Sequence, residues 1–232
     1  MFRPGDIVSH AKMCVEEGFM LQRGMNYQTR GGTTVILMSV RPGAPYPDRF
    51  EDKGRTLIYI GHNISRHRGG PNPEDVDQPM TTPGGRLTQN GLFYEAAKDH
   101  KRGVRKPERI RVYEKVKSGI WVYNGVFELM DAAIVSDGSR KVFEFKLRLA
   151  KKQADKTARR EPDSLAHTRM IPTEVKRRVW QRDKGKCAVC GSTKNLHFDH
   201  IIPFSKGGSS LVAENIQLLC ARHNIAKRDR IE

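Results

Sequence analysis

Two short ligand spacings near the end of the chain constrain it most. Cys187-Ala188-Val189-Cys190 is followed, thirty residues after Cys190, by Cys220-Ala221-Arg222-His223. A gap of two residues lets both members of a pair grip one ion from a single turn, and two such pairs close a tetrahedral zinc site. The competing reading is a set of unliganded core cysteines. A segment this small buries little apolar surface, so a metal staple is the device that would let it fold. Three cysteines clustered with histidines point to metal in a reducing compartment and away from a disulfide framework. Cys14 stands alone and reads as a small buried hydrophobe.

Charge gives the class of partner. The 232 residues carry 42 Lys+Arg against 26 Asp+Glu, a net +16. The excess is spread over the chain: 24 against 17 in residues 1–149, or +7, and 18 against 9 in residues 150–232, or +9. Nucleic acid is the first partner such a balance suggests. The opening Met1-Phe2-Arg3-Pro4-Gly5-Asp6 is charged and interrupted, and no apolar run nears the ~20 residues of a membrane span. A cytoplasmic protein with no membrane partner is therefore expected.

The pattern divides the chain into residues 1–149, a linker over 150–170, and residues 171–232. Strands are expected at 33–40, 56–60, 109–113, 120–123 and 141–149, from β-branched runs or period-two alternation. One helix is expected over 88–100, with few others. Long Gly/Pro/Asp-rich loops at 41–54 and 62–86 are the kind that carry function. Residues 150–162 hold almost no large apolar side chain and read as a basic linker. Past Pro172 a helix is expected, with Thr173 as N-cap and Val175, Val179 and Trp180 on one face.

Between and after the two ligand pairs lie Leu196-His197-Phe198-Asp199-His200-Ile201-Ile202-Pro203, Gly207-Gly208, Asn215 and Asn224. Together with the pairs, this run resembles the HNH, or ββα-metal, nuclease family over residues 171–232. The chemistry fits these residue types. Phosphodiester hydrolysis needs a base for water and a cation beside the leaving 3′ oxygen. The resemblance makes His200 the general base, Asp199 and Asn224 the ligands of a catalytic Mg²⁺ or Mn²⁺, and Asn215 the residue that braces the loop between the strands. Structural Zn²⁺ would take Cys187, Cys190, Cys220 and His223. The alternative swaps His223 onto the catalytic metal and leaves zinc three-coordinate. His197 reads as a strand histidine facing solvent.

Residues 4–149 resemble the SRA (SET- and RING-associated) family, which binds 5-methylcytosine DNA by flipping the base. The likeness lies in Pro4-Gly5-Asp6, Ile36-Leu37-Met38-Ser39, Tyr46-Pro47-Asp48, Asp52-Lys53-Gly54, Tyr59-Ile60-Gly61-His62, Asp77-Gln78, Leu87-Thr88-Gln89-Asn90-Gly91, Arg109-Ile110-Arg111-Val112, Trp121-Val122-Tyr123-Asn124-Gly125-Val126-Phe127 and Val142-Phe143-Glu144-Phe145-Lys146-Leu147. It implies that Tyr46 and Tyr59 sandwich the base while Asp48 reads its edge. Arg66, His67, Arg68 and residues 86–90 lie on loops that could enter a groove.

The expected fold is α+β, with an N-terminal β-rich, SRA/PUA-like barrel domain and a small zinc-bound ββα-metal domain. The two resemblances together imply a modification-dependent (type IV) restriction endonuclease acting on double-stranded DNA with modified cytosine. Since one such site cuts one strand, a homodimer is expected. The competing functions are a non-catalytic reader of modified DNA with a degenerate zinc module, and a nicking or homing-type HNH enzyme acting on unmodified DNA.

Overall fold

The computed structural model describes residues 2–40, 44, 46–150, 170–228 and 230–231. The fold is α+β, with ten strands and few helices among the described residues. In chain order the elements are β1 (Ile7–Ser9), α1 (His10–Glu17), β2 (Met25–Asn26), β3 (Thr34–Met38), β4 (Arg49–Glu51), β5 (Thr56–Ile60), α2 (Gln89–Lys101), β6 (Arg109–Lys117), β7 (Ile120–Ser136), β8 (Lys141–Leu149), α3 (Thr173–Arg182), β9 (Leu196–His200), β10 (Ile216–Cys220) and α4 (Ala221–Lys227). The large sheet runs β2-β3-β6-β7-β8-β5-β4, with β1 pairing to β7. β9 and β10 form a separate antiparallel pair.

Two compact units emerge, each discontinuous in sequence. The first comprises Met1–Glu16, Tyr113–Gly125 and Lys151–Glu232; the second comprises Glu17–Val112 and Val126–Ala150. Most of the basic linker expected over 150–170 lies outside the described residues.

In the second unit, β5 and β8 pair from Thr56↔Arg148 to Ile60↔Glu144, and β8 also pairs with β7 through a register shift between Leu129 and Asp131. All five residues of β5 are buried, which explains its unbroken apolar and β-branched run. α2 is capped by Thr88, whose hydroxyl accepts from the Gly91 amide at 3.2 Å.

In the first unit, Val116 and Val122 pack with Ile171, Val175, Val179, Leu196, Phe198, Ile216, Leu218 and Leu219 in one core. The C-terminal residues therefore do not build their core alone. α3 lies over this core on Val175 and Val179, with Trp180 at its edge. Its cap is Pro172, not Thr173. Thr173 is the first helical residue, and its hydroxyl donates to the Glu114 carboxylate instead of capping the helix.

That contact belongs to a buried polar cluster. Lys176 Nζ donates to Glu114 Oε2 at 2.7 Å and to Asn124 Oδ1 at 3.0 Å, while Asn124 Nδ2 donates to Glu114 Oε2 at 2.9 Å. Burial alone would raise the Glu114 carboxyl, but Lys176, Asn124 and Thr173 outweigh it and hold it below the ordinary glutamate value.

Candidate functional site

The four zinc-ligand candidates converge in the first unit. Their donor atoms all lie within 4.8 Å of one another. Cys220 Sγ is 3.3 Å and Cys187 Sγ 3.5 Å from His223 Nδ1, and Cys190 Sγ is 3.9 Å from Cys220 Sγ. Bond lengths of about 2.3 Å to sulfur and about 2.0 Å to nitrogen give tetrahedral edges of ~3.8 Å and ~3.5 Å. The cluster therefore fits one zinc ion. The turn that shapes it is local: Gly191 at φ +71° closes on Cys187, its amide donating to the Cys187 carbonyl at 2.8 Å. Burial pulls the Cys187 thiol up, but backbone groups of Cys220, Cys190 and Val189, with the His223 ring, bring it down to about 6. That favours the thiolate a metal needs.

Beside this cluster, β9, β10 and α4 form a strand–strand–helix unit, with His200 opposite Ile216 and Asp199 opposite Gln217. Burial alternates along β9: Leu196, Phe198 and His200 are buried, while His197 and Asp199 are partly exposed. Asp199 and His200 thus point to opposite faces. Lys227 links them, its Nζ lying 2.8 Å from Asp199 Oδ2 and donating to the His200 carbonyl at 2.5 Å. At 2 % side-chain exposure, Lys227 is buried against both residues. Sequence reasoning assigned it no role, although its spacing of three from Asn224 places both on one face of α4.

His200 Nε2 lies 2.8 Å from Ser210 Oγ, another residue given no role from sequence. Asn215 ties down the loop that carries Ser210. Its Oδ1 accepts from the Ile202 amide at 2.9 Å, and its Nδ2 donates to the carbonyls of Ser209 at 2.9 Å and Ile202 at 3.2 Å. A Cβ on Gly208 would fall 1.8 Å from the Ile202 carbonyl oxygen, so only glycine fits there.

His197 is partly exposed, as a solvent-facing strand histidine would be, but it is also paired. Its Nδ1 lies 2.9 Å from Asp6 Oδ1, and the two residues form an isolated backbone bridge. Burial would raise the Asp6 carboxyl, but His197 and Arg3 outweigh it and lower it.

In the second unit, Tyr46, Asp48 and Tyr59 are neighbours. Asp48 Oδ1 accepts from the Ile60 amide at 2.9 Å, and the Tyr46 hydroxyl accepts from the Asn63 amide at 3.1 Å. Tyr59 is 3 % exposed, and a Cβ on Gly24 would lie 2.5 Å from its hydroxyl. Burial drives the Asp48 carboxyl up to about 7, against the backbone bonds from Ile60 and Ser39. Burial, with Asp48 and Tyr46 nearby, also raises the Tyr59 phenol. Arg66, His67 and Arg68 are exposed, but Thr88 and Asn90 are buried. Asn90 pins the backbone of His62, accepting from its amide and donating to its carbonyl, both at 2.9 Å. It is thus a structural residue and does not reach into a groove.

Asp48 gives a stability signature. A carboxyl raised from 3.8 to about 7 stabilises the fold fully below pH 3.8 and loses that contribution as pH rises through 7. Asp48→Asn should flatten this slope. Unfolding free energies from denaturant titration at pH 5 and pH 8 are expected to diverge for the wild type by up to ~3 kcal/mol more than for the variant. Equal slopes would show that Asp48 is not held neutral.

Residues 187–230 match the HNH endonuclease family model. Three solved structures are similar to the chain at low identity. The SRA domain of SUVH5 in complex with methylated CHH DNA is 19% identical, covering 64% of this chain and 88% of that one, with a TM-score of 0.45. The same domain bound to fully hydroxymethylated CG DNA is 20% identical, covering 62% and 85%, at 0.42. The type IV phosphorothioation-dependent restriction endonuclease ScoMcrA is 13% identical, covering 98% of this chain and 55% of that one, at 0.43. No curated protein matches the chain. No helix among the described residues is long and apolar enough to cross a membrane.

Proposed function

We propose that the chain is a modification-dependent DNA endonuclease. In this assignment residues 1–149 select double-stranded DNA carrying 5-methylcytosine or 5-hydroxymethylcytosine, residues 150–170 link, and the HNH segment in residues 171–232 hydrolyses the phosphodiester bond. The observation that carries it is the strand–strand–helix site within the HNH match. A buried histidine and a carboxylate sit on adjacent residues of β9, one buried lysine contacts that carboxylate and the histidine's backbone carbonyl, and a Cys₃His cluster lies in the same unit.

His200 takes a proton from the attacking water. Asp199 keeps Oδ2 on Lys227 and has Oδ1 for a cation, while Asn224 offers a second oxygen from the same helix face as Lys227. That hard-oxygen donor set suits Mg²⁺ or Mn²⁺, which when bound would supply positive charge beside the leaving 3′ oxygen. Asn215 fixes the loop behind His200.

For target choice, an extruded base would enter between Tyr46 and Tyr59 by opening their cluster. Each aromatic contact contributes ~1–3 kcal/mol toward the cost of unstacking. Asp48, near neutrality, accepts from the cytosine N4 amine. A double-strand cut requires a homodimer or two events, because one site serves one strand.

The test is cleavage of one plasmid, CpG-methylated and unmethylated, with Mg²⁺ or Mn²⁺, by wild type and His200→Ala. Wild type should cut the methylated plasmid alone, and the variant should be slower by about 10²–10⁴-fold. Equal cutting of both plasmids would leave a nuclease that acts on unmodified DNA. No cutting, with methylated DNA shifted on a gel, would leave a reader.

A further inference from the structure

Tyr59 and Gly24 meet inside the second unit. Gly24 immediately precedes β2 and Tyr59 lies in β5, near opposite ends of the strand order in the large sheet. A Cβ on Gly24 would fall 2.5 Å from the Tyr59 hydroxyl oxygen and 3.9 Å from the ring carbon that bears it. The two distances differ by about one C–O bond, so the approach is end-on. Neither residue can give way along that line. The Gly24 carbonyl accepts from the Leu37 amide at 2.7 Å, and the next residue, Met25, is buried and pairs with Ile36. On the other side, Tyr59 pairs with Phe145, and the amide that follows it, of Ile60, donates to Asp48 at 2.9 Å. Gly24 does not owe its identity to its backbone, which lies outside the left-handed region that favours glycine. What a side chain would lack there is room.

A base that stacks on Tyr59 needs the ring face held in one plane, and binding constellations tolerate displacements of only about 0.5 Å. A methyl group at residue 24 forces the hydroxyl aside by at least ~0.5 Å. The ring then tilts about its Cα–Cβ bond, and its face leaves that plane. Resting on the reading of Tyr59 as a wall of the base pocket, we propose that Gly24 is a positioning residue for recognition of the modified base. Its bare backbone is the stop against which the Tyr59 hydroxyl rests, and it sets the angle of the ring on which the base stacks. The stop acts on the hydroxyl alone. Once Tyr59→Phe removes that oxygen, a Cβ at residue 24 meets the end of the ring at 3.9 Å, an ordinary contact. Gly24→Ala should therefore cost affinity only while the hydroxyl is present, which a double-mutant cycle reads directly.

The experiment is a fluorescence-anisotropy titration of the full chain onto a labelled duplex with one 5-methylcytosine and onto its unmethylated counterpart. Mg²⁺ and Mn²⁺ are left out so that binding is read without cleavage. Gly24→Ala should weaken binding of the methylated duplex about 10- to 100-fold, the worth of one aromatic stack. The unmethylated duplex, held through its phosphates, should bind as it does to the wild type. Tyr59→Phe sets a new baseline, and Gly24→Ala/Tyr59→Phe should match it on both duplexes. No weakening by Gly24→Ala, or equal weakening of both duplexes, would overturn the proposal. So would a double variant that binds the methylated duplex less tightly than Tyr59→Phe alone, and this criterion holds even if Gly24→Ala by itself folds too poorly to assay. A wild type without preference for the methylated duplex, or a Tyr59→Ala variant that binds it as tightly as the wild type, would instead remove the base-pocket reading itself, so the two failures are told apart.

Discussion

Removing metal from the Cys187, Cys190, Cys220 and His223 cluster is expected to unfold the first unit as a whole while the second keeps its strands. Structural zinc in small domains contributes ~10–16 kcal/mol at neutral pH, more than the net stability of most domains. The core it supports is shared: Val116 and Val122 pack with Val175, Val179 and Leu218, so loss of the C-terminal segment uncovers the β6–β7 turn too. The readout is favourable, because both tryptophans of the chain, Trp121 and Trp180, lie in the first unit. A strong chelator should red-shift their fluorescence and expose residues 170–228 to protease, with one equivalent of zinc released. Cys220→Ser should do the same without chelator. Excess Mg²⁺ should not reverse either effect, which separates the structural ion from a catalytic one. The acid limb follows from the ligands. The thiols must be ionised to bind, so zinc should leave on acidification, at a pH below the metal-free Cys187 value of about 6. Unchanged fluorescence after complete zinc removal would show that the apolar core suffices and that the cluster is only four neighbouring side chains.

Sequence pattern located what depends on local periodicity and missed what depends on distant partners. The strands at 56–60 and 141–149 were legible because their runs are unbroken. β7 was read only at 120–123, although it continues to Ser136, because Asn124 and Gly125 interrupt the run and four consecutive buried residues, 122–125, break the alternation there. α1 went unseen: eight residues with two glutamates and a single turn's worth of apolar side chains offer little periodic signal. In the site, the ligand spacing singled out Cys187, Cys190, Cys220 and His223, which the fold brings together. Ser210 and Lys227 were invisible as site residues because each matters only once a loop or a helix turns it toward β9. The Asp6–His197 contact joins residues 191 positions apart, which no local pattern encodes. The boundary at Ala150 rested on composition, which carries no information about packing; within the first unit the apolar faces of 113–125 and 171–220 complete one core.

Lys176→Met is expected to destabilise the first unit by ~3–5 kcal/mol, because it leaves the Glu114 carboxylate buried without its counter-charge. Glu114 has no exposed side-chain surface and Lys176 has 3 %, so water cannot take the ammonium's place. Asn124 and Thr173 still donate to the carboxylate, but two neutral donors do not replace a cation at 2.7 Å. The pH dependence should reverse. In the wild type the Glu114 carboxyl is held below its ordinary 4.5, so its contribution is present above that pH and lost as pH falls through the lowered value. In the variant burial acts with little opposition, the carboxyl titrates above 4.5, and stability falls as pH rises instead. The double variant Glu114→Gln/Lys176→Met should recover most of the loss, since exchanging both members of a buried pair is often near neutral. Tryptophan-monitored denaturation of the three proteins at pH 5 and pH 8 decides the matter. A loss below ~1 kcal/mol, the level of an exposed pair, would mean that the cluster is open to solvent. α3 carries the effect toward the site. Arg182, at its other end, donates to the carbonyls of Ala213 at 2.8 Å and Ile216 at 2.6 Å, on either side of Asn215. A shift of α3 on the β6–β7 turn would therefore move the residue that fixes the loop behind His200. Cleavage by Lys176→Met at a temperature where it remains folded should show a lower kcat, although Lys176 touches none of the site residues named above.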